Sequence, residues 1–495
     1  MNTILVLPVV IPFAAAAVNL LFNGNSGREH RISILGALLH FAACAALFVR
    51  VYSSGMQTMQ VGNWPAPFGI TLAADHLSAV MVIVTAILGL AVTVYSRAEI
   101  KSDLLAAGYY PLLHILLGGV SGAFLTGDLF NLYVWFEVML MASFGLLVLG
   151  REKQQFDGGV KYVMINLFST LLFITGIGLL YGMTGTLNLA DLHLAVQKVD
   201  NQALLTATAA IFMTAFGIKA GMFPLFFWLP ASYHTPPVAV SAILAGLLTK
   251  VGVYALIRIF SLVFIFDMAH THGLLLIAAV ATMFTGVLGA AGYNEFRRIL
   301  SVHIVSQVGY MVLGLSLFTP LALTGAVFFL LHNMIVKSNL FLISGVSARI
   351  SGTFELKQLG GLYNNHRFLA LLFFVSAFSL AGFPPLSGFW AKLILVRAGL
   401  ETGAYIAAGA AVVVGLLTAY SMTKIWGEAF WKPEPAGKSA EKGRPDVWML
   451  LPVSVLAILT MVIGLLPGPF LAVAEQAAHE LTHPEIYVNA VLGGK

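Results

Sequence analysis

Charge is what this chain of 495 residues has least of. Asp, Glu, Lys and Arg together make up 9% of it, against about 25% in a soluble domain, and that excludes a water-facing globular body of useful size. Its single cysteine, Cys44, excludes an intrachain disulfide and leaves no thiolate set for a structural metal. No haem-ligand pair and no nucleotide-binding loop stand out, so neither a cofactor, nor a metal, nor a catalytic side chain is expected, and the chain reads as something other than an enzyme. The first apolar run lacks a basic leader and a small-residue cleavage site, so it reads as a retained helix.

What the sequence has in abundance is oil. Hydrophobic residues make up 59%, and apolar runs of about 20 residues, enough to cross a bilayer core, fall near 3-22, 31-52, 75-97, 109-127, 128-149, 159-183, 203-228, 236-260, 272-292, 299-318, 320-345, 367-400, 403-426 and 447-467. The expected fold is an all-α polytopic membrane protein with about fourteen transmembrane helices. Gly127-Asp128 and Thr319-Pro320 are tight turns joining antiparallel neighbours. Seventeen Lys and Arg fall in loops on one side and five, Arg50, Lys198, Arg258, Arg397 and Lys495, on the other. The positive-inside rule then puts both termini outside the cytoplasm.

Four cations remain inside spans, Lys219, Lys250, Lys337 and Lys392. A lysine at mid-depth costs roughly 2.5 to 3.5 kcal/mol on insertion scales, so each needs a partner or a hydrated cavity. Pro224 follows Lys219 closely, and Pro384 and Pro385 precede Lys392. Each proline removes a backbone donor and breaks its helix, and a broken helix beside a buried charge is how transporters build ion sites. The two breaks, in the seventh and twelfth spans, point to an internal repeat over spans 4-8 and 9-13. Five helices per unit make the repeats inverted. The expected organisation is 1-108 for helices 1-3, 109-260 and 261-426 for the two repeats, and 427-495 for a cytoplasmic linker, helix 14 and a tail.

Glu137 is the acidic residue set deepest in a span, about 14 Å past Asp128 and near the middle of a ~30 Å core. The sequence therefore suggests a Glu137-Lys219 pair across a helix interface, each keeping the other ionised. Lysines held away from water exchange protons near neutral pH, which makes Lys219 and Lys250 candidates for proton handling. His332 lies five residues before Lys337, ~7.5 Å of rise and ~140° of turn, too far round for contact but suited to a water-bridged relay. His303, Ser306 and Gln307 are supporting polar groups, explained nearly as well by inter-helix hydrogen bonds. His40 and His114 read as structural. Residues 53-74 suggest a β-hairpin, 432-446 a flexible linker, and 475-485 a short amphipathic helix or a disordered tail.

The stretches TGDLFNLYVWFEVMLMASFGL, FGIKAGMFPLFFWLPASYHTPPVAVSAILAGLLTKVGVYALIR, RRILSVHIVSQVGYM and SLAGFPPLSGFWAKL resemble the antiporter-like subunits shared by respiratory complex I and the Mrp multisubunit cation/proton antiporters, and within them the Mrp D-type (MrpD) pattern. The resemblance implies a half-channel mechanism in which Glu137 and Lys219 form the proton-side pair, Lys250 the connector, His332 and Lys337 the bridge, and Lys392 the terminal group. It implies protons and Na+ or K+ as the transported ions, and partners similar to the MrpA, B, C, E, F and G proteins within the lipid bilayer, with no nucleic acid. Lysine at 392, where the M-type complex I subunit usually has glutamate, favours the Mrp branch. The alternative is the proton-pumping membrane subunit of an NADH:quinone oxidoreductase or membrane-bound hydrogenase, with its redox centres in partner chains.

Overall fold

The computed structural model describes residues 3-22, 24, 26-434 and 445-493. The membrane-crossing helices are α1 (Leu7–Leu21), α2 (Ser26–Ser54), α3 (His76–Glu99), α4 (Tyr109–Leu125), α5 (Leu129–Val148), α6 (Lys153–Thr184), α7 (Gln202–Ala220), α8 (Val238–Leu262), α9 (Met268–Gly292), α10 (Phe296–Leu317), α11 (Pro320–Ser351), α12 (Arg367–Ala381) continued by α13 (Ser387–Glu401), α14 (Tyr405–Ile425) and α15 (Val447–Leu465). Among the described residues, eleven helices are long and apolar enough to cross a ~30 Å core. The shorter α1, α4 and α12 complete the fourteen crossings read from the sequence.

The helix starts are written into the polar residues between the runs. Asp75, Asp128, Glu295, Thr319 and Asp446 each accept a hydrogen bond from a free backbone N–H in the first turn of the helix that follows. Such a cap contributes about 1 kcal/mol and fixes where the helix begins. Pro320, at the first position of α11, lacks only an N–H that would have had no partner.

Burial sorts the helices into an interior and a rim. In α8, α10 and α11 nearly every residue is covered by protein, whereas α2, α6, α9 and α14 each keep an apolar face outward. A helix covered on all sides gains nothing from polar residues unless they are partnered, yet α8, α10 and α11 carry Lys250, His303, Gln307, His332, Asn333 and Lys337, all fully buried. Close approach sets their packing. A Cβ on Gly246 of α8 would collide with Ser338 Oγ of α11, and one on Gly309 of α10 would lie 2.5 Å from Met283 of α9.

Outside the crossings, β1 (Gln57–Gln60) and β2 (Thr71–Ala74) pair antiparallel, the hairpin read within 53-74. The tail takes the helical one of its two readings, with wider bounds. Helix α16 spans Pro467–Thr482 and α17 spans Pro484–Leu492, so helix begins eight residues earlier than 475 and continues past 485. The physical reason is a sharp corner. Pro467 starts a new helix directly after Leu466, so an apolar stretch that looks like the end of the last crossing instead folds back with Val473, Ala474, Ala477, Ala478 and Leu481 buried. Within the expected linker at 432-446, residues 435-444 lie outside the described residues.

Candidate functional site

Both proline breaks form where the sequence puts them. Helix α7 stops at Ala220, and Gly221 turns the chain through a left-handed conformation (φ +77°) that only glycine adopts without strain. A short helix, Trp228–Ser232, follows before α8. The twelfth crossing repeats the device. Helix α12 stops at Ala381, Gly382 has φ +96°, and α13 restarts at Ser387. A helix end leaves carbonyls without partners and carries partial negative charge. Lys392, one turn into α13, reaches back and donates to two of them, Leu380 O at 3.0 Å and Ala381 O at 2.9 Å. Its ammonium also lies 5.1 Å from the centre of the Tyr310 ring, whose hydroxyl donates to Ala411 O.

Lys219 is the next-to-last residue of α7, beside the first break. Its ammonium forms no direct ion pair with Glu137. A hydroxyl stands between them: Thr170 Oγ1 on α6 donates to Glu137 Oε1 at 2.8 Å, and Lys219 Nζ donates to Thr170 Oγ1 at 3.3 Å. The contiguous pair suggested by the sequence is thus a triad, because α6 passes between α5 and α7. Lys219 also approaches Asn166 O at 3.4 Å and the Phe136 ring at 5.5 Å. Beside it is a cavity of about 20 Å³ bounded by Tyr162, Asn166, Trp228 and Leu248, room for about one water. Tyr162, Asn166 and Thr170 recur every fourth residue of α6 and so share one face.

Lys250 is completely buried on α8 and donates to Ala245 O of its own helix at 2.6 Å. One turn away, Gly246 lets α11 come close, and Ser338 Oγ donates to Ala242 O at 3.0 Å. The residue before Ser338 is Lys337, whose ammonium is fully buried and has no hydrogen-bond partner among the described residues. The same holds for Asn333 Oδ1 and Nδ2, His332 Nε2, Gln307 Oε1 and both ring nitrogens of His303. Each such atom costs about 1–3 kcal/mol if left dry, and natural interiors hold few of them. These atoms cluster on α10 and α11, the two most deeply covered helices together with α8.

His332 ties this interior to the second break. Its Nδ1 lies 2.7 Å from Ser387 Oγ at the start of α13, which lies 2.9 Å from Ser379 Oγ on α12. On α10, Gln307 donates to Ser306 Oγ at 2.9 Å, and the Tyr310 hydroxyl donates across to Ala411 O of α14.

One further cluster escaped the sequence reading. Arg258, counted there as a loop cation, is buried in the last turns of α8 and pairs with Asp75 through Nη1–Oδ2 at 2.6 Å and Nη2–Oδ1 at 2.8 Å. Tyr254 and Ser78 complete the group, and beside it His76 meets Glu480 of α16 at 2.7 Å. The available signal was Asp75 standing alone ahead of a long apolar run. Thr170 and Asn166 were missed because a threonine or asparagine in a long apolar span hydrogen-bonds its own helix and leaves no mark on the pattern. Among the described residues no three His, Cys, Asp or Glu side chains converge as a metal site.

A predominantly helical multi-pass membrane protein, with two broken helices and ionisable groups buried along its middle, is the class that fold and site define. Residues 126-418 match the family described as NADH:quinone oxidoreductase/Mrp antiporter, transmembrane region. The chain is 45% identical over 492 residues to the D-type subunit of the Na(+)/H(+) antiporter of Alkalihalophilus pseudofirmus, covering 99% of this chain and 100% of that one. It superposes with TM-score 0.92 and 33% identity on a chain in the Mrp complex of Dietzia sp. DQ12-45-1b, with full coverage of both. A chain of an archaeal membrane-bound sulfane sulfur reductase shares the fold, with TM-score 0.91 at 24% identity and 99% coverage of each. The chain belongs to the NADH:quinone oxidoreductase/Mrp antiporter family.

Proposed function

We propose that this chain is the D-type subunit of a multisubunit Na+(K+)/H+ antiporter in a bacterial plasma membrane, and that protons cross it along Glu137, Thr170, Lys219, Lys250, Lys337, His332 and Lys392. The observation that carries this is the run of buried ammonium groups and unpartnered polar atoms through α7, α8, α10, α11 and the α12–α13 break. A membrane interior tolerates such a run when water and exchangeable protons occupy it. The antiporter reading is favoured over the redox-complex reading by full-length identities of 45% and 33% on the antiporter side against 24% for the reductase chain.

In this reading the two breaks belong to inverted repeats over 109-260 and 261-426, the basic loops face the cytoplasm and both termini lie outside. One charge crossing 100 mV supplies about 2.3 kcal/mol, so inward proton movement drives cation export through the assembled complex. The test is Na+-dependent collapse of a pH gradient in membrane vesicles carrying the whole complex. Lys219→Ala and Glu137→Ala abolish it while assembly is retained. Wild-type antiport in either variant overturns the reading.

A further inference from the structure

On the rim, away from the polar axis, α2, α3 and α15 leave a groove of about 570 Å³ open between them. Its wall is apolar throughout, from Ile34, Leu38 and Phe41 on α2, through Ile87 to Val94 on α3, to Leu451, Val455 and Val462 on α15. The three runs end together. Arg31 lies three residues before Ile34, Arg97 three residues after Val94, and Trp448 three residues before Leu451. A step of three keeps each on the face of its helix that lines the groove. The Arg97 guanidinium sits 4.0 Å from the centre of a Trp448 ring, closing one end of the groove with a cation on an aromatic plate. Arg31 and Arg97 are exposed, and neither forms an ion pair among the described residues. Asp446 and Glu29 accept from backbone donors instead, Asp446 from Trp448 N–H and Glu29 from Gly24 N–H.

The depth of the groove is that of one leaflet. From Leu451 to Val462 the helix rises about 16 Å, half of a ~30 Å core. Past Ile87 and Leu459 the apolar lining continues as a smaller chamber of about 160 Å³ that reaches Phe470 and Val473 of α16. A hydrocarbon chain fits such a space.

We infer that this groove is a binding site for an anionic diacyl phospholipid, one acyl chain lying along α2, α3 and α15 and the phosphate held between Arg31 and Arg97. Tryptophan and arginine at the interfacial end are the groups that meet a headgroup, and basic pockets between helices select anionic ones. The site is independent of the transport reading, because it needs only that the chain is embedded in a bilayer.

The experiment uses the whole purified complex in detergent, with palmitoyl-oleoyl phosphatidylglycerol as probe and the phosphatidylcholine of the same chains as the neutral control, bound lipid being counted by native mass spectrometry. The Arg31→Gln/Arg97→Gln double variant is expected to weaken phosphatidylglycerol binding about 30-fold, about fivefold for each arginine, with phosphatidylcholine unchanged. Val455→Trp, at an exposed position on the groove wall, is expected to remove the tightly held lipid while the arginines remain. Equal phosphatidylglycerol retention in all three proteins overturns the site as ordinary boundary lipid. Cross-linking of Val94→Cys or Val455→Cys to another subunit also overturns it, since the groove is then the seat of a helix. The one native cysteine, Cys44, is buried and does not confuse that readout.

Discussion

Replacing Thr170 with valine removes one oxygen and keeps the shape of the side chain. That oxygen donates to Glu137 Oε1 at 2.8 Å and accepts from Lys219 Nζ at 3.3 Å. Without it, the carboxylate and the ammonium lose their shared contact inside the membrane. A hydrogen bond to a charged group contributes about 1.5–3 kcal/mol, and if that loss falls on the transfer step, the rate drops about 10- to 150-fold. Valine packs against the same neighbours, so the complex assembles. Thr170→Ser restores the hydroxyl with less bulk and recovers most of the activity. The assay is Na+-induced dequenching of a pH-sensitive dye in everted vesicles, with complex abundance read on native gels. Wild-type antiport by Thr170→Val at normal abundance refutes the bridging role, and so does equal loss in Thr170→Ser.

Three other outcomes follow from the geometry. Lys337→Met removes a fully buried ammonium with no partner among the described residues, so antiport is lost while the thermal unfolding midpoint of the complex stays level or rises; a clearly lowered midpoint contradicts this. Gly388→Ala drives a Cβ into Ser379 O and sets it 2.9 Å from His332 Nε2, an overpacking of about 1–3 kcal/mol or more that lowers assembled complex. Gly415→Ala, whose added Cβ would meet nothing closer than 3.6 Å, leaves the assembled complex at its wild-type level on the same native gels. Breaking the buried Asp75–Arg258 pair with Asp75→Ala costs about 3–5 kcal/mol, because Arg258 is left as a buried lone charge. Asp75→Ala/Arg258→Met is expected to recover part of that stability in a double-mutant cycle, and purely additive losses argue against coupling.

The crossings and both breaks were legible because they depend on strong local rules: apolar length and proline's missing donor. Lysines in oil announce themselves for the same reason. Thr170 was not legible, since its meaning lies in α6 passing between α5 and α7, a tertiary fact. Its only trace is the four-residue spacing of Tyr162, Asn166 and Thr170. Arg258 misled in the opposite direction. Near the end of an apolar run an arginine normally reaches water by extending its stem, and only the arrival of Asp75 from α3 turns it inward. The helical reading of the tail held but its start was missed, because hydropathy alone cannot register the corner at Pro467.

Helices that leave the ribosome after every crossing hold down some of the first segments made. Thr58 in the hairpin donates to Ala490 O at 3.1 Å, Gln60 to Val491 O at 3.5 Å, and the N–H of His76 to Glu480 at 2.9 Å. A nascent chain that has inserted all of its crossings still has this end undone until α16 and α17 emerge. Their synthesis and the closure of the hairpin side are therefore one event, and a chain cut after α15 is an unfinished molecule although each crossing is in place.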